Sequence, residues 1–89
     1  GVEIVKTAGL DKYKARIHIN GNFVIGTYST LEKAAIAYNK AVDMAHAHGI
    51  EKNYPENYIE SISGKEYADI YTSVTVSDKY VQYLQQFDL

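Results

Sequence analysis

A chain of 89 residues, 46% hydrophobic and 22% charged, has room for one core, since a domain this small buries only about 60 to 65% of its unfolded surface. It holds no apolar run near the roughly 18 residues that cross a bilayer, and without cysteine it forms neither a disulfide framework nor a thiolate zinc site; we expect an intracellular protein. The net charge of −2 argues, taken alone, against nucleic acid as a partner, yet residues 59–89 contribute −3 and residues 1–58 carry +1.

The stretch Gly1 to Lys6 is rich in β-branched residues and reads as a first strand, ended by the turn signal Thr7-Ala8-Gly9-Leu10-Asp11. From Tyr13 to Asn20 the residues alternate, with Ala15, Ile17 and Ile19 on one side and Lys14, Arg16, His18 and Asn20 on the other. This predicts a half-buried strand with one basic face. Asn20-Gly21 is a hairpin signal that returns the chain as a third strand, Asn22 to Tyr28. A loop through Asn22 would set Phe23 opposite Ile19 and Ile25 opposite Ile17, placing Phe23 in the core and Val24 on the basic face.

Ser29-Thr30-Leu31-Glu32 fits a capping box, with Ser29 as the cap of a helix. Leu31, Ala34, Ala35, Tyr38, Ala41, Val42 and Ala45 then form one apolar stripe, and Gly49 is placed to end the helix. The small alanines let the helix axis approach the sheet. Tyr54-Pro55 marks an extended return segment across the core. Farther on, Gly64 to Tyr71 and Ser77 to Leu84 read as short helices, with Ser63 and Ser77 as caps. The expected architecture is α+β: a three-stranded antiparallel sheet packed on one long helix, followed by a mostly helical C-terminal extension.

The segments Lys12-Tyr13-Lys14-Ala15-Arg16-Ile17, Ile25-Gly26-Thr27-Tyr28-Ser29-Thr30, Glu32-Lys33-Ala34-Ala35, Ala37-Tyr38-Asn39-Lys40-Ala41 and Asn53-Tyr54-Pro55 follow in an order that is recognisable. Residues 1–58 resemble the Apetala-two/ethylene-response-factor DNA-binding domain, in the form attached to bacterial and phage endonucleases or integrases. Residues 59–89 lie outside the resemblance, as an acidic, Tyr-rich extension packed on the domain or on a partner. The resemblance implies a sheet inserted into the DNA major groove, a groove that admits a β-ribbon. It places Arg16 and His18 at the DNA, with Lys6, Lys12, Lys14, Asn20, Asn22 and Val24 around them. In that reading Arg16 pairs with guanine, Asn20 or Asn22 with adenine, and the lysines meet phosphates. Asn22, Val24 and Glu3 depart from the plant pattern, which has Arg, Trp and Arg there, so a plant-type target does not transfer.

The chain starts inside its first strand and without Met, so we expect a fragment of a larger regulatory or mobile-element protein, working in the cytoplasm or nucleoid if bacterial or phage. The module itself carries no nucleophile motif and is read as non-catalytic, with no cofactor. His46 and His48, two residues apart, point to different sides of a helix and do not make a metal pair; near the helix end they favour its dipole instead. A competing reading takes the same scaffold as a protein-interaction or dimerisation module. Six of nine tyrosines lie after residue 53, and tyrosine suits interfaces, so the tail would bind a second copy or a catalytic domain of the parent protein.

Overall fold

The computed structural model of the chain describes residues 2–7, 10–19, 21–54 and 59–86, with side chains from residue 12 onward within those ranges. In chain order the elements are β1 (Val2–Thr7), β2 (Leu10–His18), β3 (Asn22–Tyr28), α1 (Leu31–Ala47), α2 (Gly64–Ser73) and α3 (Asp78–Gln85). The strands form an antiparallel sheet of order β1-β2-β3.

The expected architecture needs correction. Three helices, not one long helix with an appendage, pack in one compact body, and Tyr80 and Leu84 of α3 are fully buried in the same core as Ile17, Ile25 and Val42. On the sheet side, described side chains come only from the antiparallel pair β2–β3; β1 is described by its backbone pairing along the edge of β2. The physical reason for the change is area: a sheet and an alanine-rich helix leave large gaps that two tyrosine-bearing segments of the tail fill.

The hairpin register also differs from the expected one. His18 pairs with Asn22, Ile17 with Phe23 and Arg16 with Val24, because the turn closes at Ile19 to Gly21, with the Ile19 N–H donating to the Gly21 carbonyl at 2.9 Å. Gly21 carries the positive φ of 133° that the turn requires. A shift of two residues preserves which side chains share a face, so Ala15, Ile17, Phe23 and Ile25 still point to the core side. Between Ala15 and Arg16 the register slips by one, leaving Ile25 of β3 as the extra residue of a bulge.

That bulge positions the tail. Ser77 donates its N–H to the Ile25 carbonyl at 2.8 Å and its hydroxyl to the Val24 carbonyl at 2.9 Å, so the outer edge of β3 is occupied rather than left open. The Ser77 hydroxyl also accepts the Tyr80 N–H as the N-cap of α3. From there Tyr80 reaches the buried Ala41 carbonyl at 2.6 Å, and Tyr83 lies against Phe23 with ring centres 4.4 Å apart.

Helix α1 is capped by Thr30 rather than Ser29: Thr30 has the extended backbone of a cap, and its hydroxyl accepts the Lys33 N–H at 3.1 Å. Its C-terminus ends as expected at Gly49, with φ of 87°; the Gly49 N–H donates to His46 and the Ile50 N–H to Ala45, a Schellman pattern. The predicted stripe is too narrow. Leu31 is 49% exposed, whereas Ile36 and Asn39 are buried, because α2 covers a second side of α1. Asn39 donates to the Tyr67 hydroxyl at 3.1 Å, Asp43 accepts from Tyr71 at 2.7 Å, and Lys40 donates to the Tyr71 and Val74 carbonyls at the end of α2. A cation at those carbonyls suits the negative end of the helix.

Candidate nucleic-acid interface

With α1 and α3 on the core side of the sheet, its other face remains uncovered among the described residues. Strand alternation sets Lys12, Lys14, Arg16 and His18 of β2 on it, and register adds Asn22 and Val24 of β3. Lys12, His18 and Asn22 are exposed, Lys14 and Arg16 are half-buried, and Val24 is 43% exposed. His18 Nδ1 and Asn22 Oδ1 lie 3.2 Å apart across the hairpin, as their pairing requires. Arg16 stands directly opposite Val24, so an aliphatic wall flanks the guanidinium stem.

Six of the eight candidate residues thus share one face. Lys6 is described only by its backbone, which pairs with Asp11, a position out of phase with Lys12 and Lys14; its side chain lies outside the described residues. Asn20 also lies outside them, as does Pro55 of the return segment. The backbone register sets Glu3 opposite Lys14.

The described side chains of the face are positive, while the backbone register brings Glu3 of β1 to its edge. The outer face of β2 and β3 carries three cations and no carboxylate among its described side chains, whereas Glu66 and Asp69 belong to α2, which packs on α1. A net acidic chain can still present a local positive field, because screening confines each charge to roughly 8 Å at physiological salt.

The end of the hairpin is held from behind. The His18 carbonyl accepts the Tyr54 hydroxyl at 2.6 Å and the Lys52 ammonium at 3.4 Å, so the return segment braces the turn while the His18 ring stays exposed. His46 donates through Nε2 to the Lys52 carbonyl at 3.1 Å, a structural contact within that brace. On β3, Gly26 is needed for space: a Cβ there would meet the Tyr28 ring, whose hydroxyl donates to the Thr75 carbonyl.

Sequence reasoning missed α3 as a neighbour of this face. Lys79, Gln82 and Gln86 line a hollow of about 670 Å³ together with Asn22, Phe23 and Val24. Only the spacing of Lys79, Gln82 and Gln86 opposite Tyr80 and Leu84 hinted that α3 has a polar side.

No protein-family model, curated protein or solved structure matches the chain.

Proposed function

We propose that the chain is a DNA-binding module that sets the outer face of its sheet in the major groove of a duplex, as the addressing part of a larger regulatory or mobile-element protein of the endonuclease or integrase type. The observation that carries this reading is the open face itself: Lys12, Lys14 and Arg16 in a row along β2, flanked by Asn22 and Val24, with α1 and the buried side of α3 packed against the opposite face. The row suits the groove because a β-ribbon fits its width, lysines meet phosphates as point charges, and Arg16 and Asn22 offer guanine and adenine contacts. The resemblance of residues 1–58 to the Apetala-two/ethylene-response-factor domain points the same way.

The competing reading takes the acidic, Tyr-rich tail as a cover for the sheet or a homodimer contact, favoured by Glu3, Val24 and the net charge of −2. Tyr67, Tyr71 and Tyr80 direct their hydroxyls to Asn39, Asp43 and the Ala41 carbonyl, and Tyr83 lies on Phe23. These four side chains serve the fold, which leaves the exposed Val24 as the feature that favours the dimerisation reading.

The test is fluorescence anisotropy with a pooled random duplex at about 50 mM and 200 mM salt. Two lysine–phosphate contacts, from Lys12 and Lys14, predict a log–log slope of about −1.8, with micromolar or tighter affinity at the lower salt. Absence of binding at both salts, or binding indifferent to salt, would overturn the proposal.

A further inference from the structure

We infer that α3 forms a second wall of the DNA interface, with Lys79, Gln82 and Gln86 contacting the sugar-phosphate backbone of the strand that passes along β3. This inference rests on the DNA-binding reading of the sheet face and extends its footprint to a part of the chain outside the resemblance.

Three observations support it. First, the helix is oriented by its buried side: Tyr80 and Leu84 lie in the core, so Lys79, Gln82 and Gln86, spaced i, i+3 and i+7, form a separate polar side. Gln82, Gln86 and Lys79 are all exposed. Second, the polar side is continuous with the sheet face, since the same hollow is lined by Asn22 and Val24 on its other wall. The junction is fixed, because Ser77 ties the start of α3 to the Val24 and Ile25 carbonyls. Third, beside the apolar Phe23, Val24 and Tyr83 the hollow carries polar donors: one cation and three side-chain amides (Asn22, Gln82 and Gln86), with no carboxylate among the described residues. Amide N–H groups and ammonium groups are ordinary donors to phosphate oxygens, and such contacts set register on the duplex without reading sequence.

A duplex is favoured over a peptide as the occupant because Val24, in one wall of the hollow, is paired with Arg16 of the cation row, and the other wall carries Lys79.

The experiment measures the salt dependence of duplex affinity for the 89-residue chain and four variants, each confirmed as folded by circular dichroism. Lys79→Ala should weaken binding about threefold to tenfold at low salt, equally for all sequences, and reduce the magnitude of the slope by about 0.9. Gln82→Lys should tighten binding and steepen the slope by about the same amount. Ala68→Lys, exposed on α2, should leave the slope unchanged, and Arg16→Ala serves as the reference for the sheet face. Unchanged slopes in Lys79→Ala and Gln82→Lys, with Arg16→Ala still impaired, would overturn the role of α3 and leave the sheet reading standing. Equal steepening by Gln82→Lys and Ala68→Lys would overturn it too, by tracing the effect to net charge. No binding by the unmodified chain would remove both readings together.

Discussion

The two faces of the β2–β3 hairpin are built from alternate residues of the same segments, yet they answer to different demands. Inward, Ala15, Ile17 and Ile25 are fully buried and meet α1 and α3; outward, Lys14, Arg16 and Val24 keep contact with solvent. Burying an aliphatic side chain contributes about 1.5 to 3 kcal/mol, whereas an exposed cation contributes little to folding. The comparison teaches that stability and binding are separable here: substitutions on one face should move the folding equilibrium, and substitutions on the other should move affinity.

The largest expected effect lies on the inner side. Leu84 is fully buried between α3 and the sheet, so Leu84→Ala should cost about 2 to 5 kcal/mol of unfolding free energy in urea. In a domain with about 5 to 15 kcal/mol in total, that is a large fraction. Duplex affinity per folded molecule should be preserved. A variant as stable as the original chain would mean that α3 does not share the core, and a loss of affinity per folded molecule would break the separation of the two faces.

On the outer face, Arg16→Ala should cost about 1 to 3 kcal/mol of binding if the guanidinium reads a base, and should relax discrimination at one position of a selected site. Its urea midpoint should fall by less than that of Leu84→Ala, since Arg16 keeps contact with solvent whereas Leu84 is fully buried. Unaltered affinity would remove Arg16 from the interface. A midpoint lowered as far as that of Leu84→Ala, with unaltered affinity, would turn the comparison around, making the outer face a stabilising one.

What was legible in the sequence follows from the range of the interactions involved. The sharing of a face by Lys14, Arg16 and His18 rests on period-2 alternation, a local property, and survived even though the register moved by two residues. The register itself was not legible: Ile19 is drawn into the turn and held near Tyr83, whose hydroxyl donates to its carbonyl from 64 residues away. The caps at Ser63 and Ser77 could be read because a cap needs only its own first turn. The choice of Thr30 over Ser29 could not, since both hydroxyls precede the same apolar run. Asn39 and Lys40 lie off the predicted stripe of α1; their partners on α2 and at its C-cap are 28 to 34 residues distant, and no local pattern announces a polar contact of that range. For the proposed site, the shared face of β2 was readable and the nearness of α3 to β3 was not. Its placement depends on a contact between Ser77 and Val24 across 53 residues, and on a bulge that frees the carbonyls it uses.

The smallest predicted effect concerns Tyr80, the residue that joins α3 to α1 beneath the hairpin. Burial raises its phenol pKa well above the ordinary tyrosine value, and neighbouring Tyr54 and Tyr38 raise it further; Tyr28, Tyr38 and Tyr54 shift in the same direction, chiefly through burial. Above about pH 10 the unfolded chain therefore releases phenolic protons that the native state keeps, so the unfolded state binds fewer protons and stability declines as pH rises. Below that pH the contribution is fully present. Tyr80→Phe removes the hydroxyl that donates to the Ala41 carbonyl, which should lower stability near neutrality by about 0.5 to 1.5 kcal/mol. It also removes one of the titrating groups, so the stability of the variant should decline less steeply between about pH 9 and pH 11, and the two curves should converge. Urea midpoints across that range decide the matter. Parallel decline would mean that the phenol at position 80 meets water in the native state, and the inner face would then be less closed than the outer face is open.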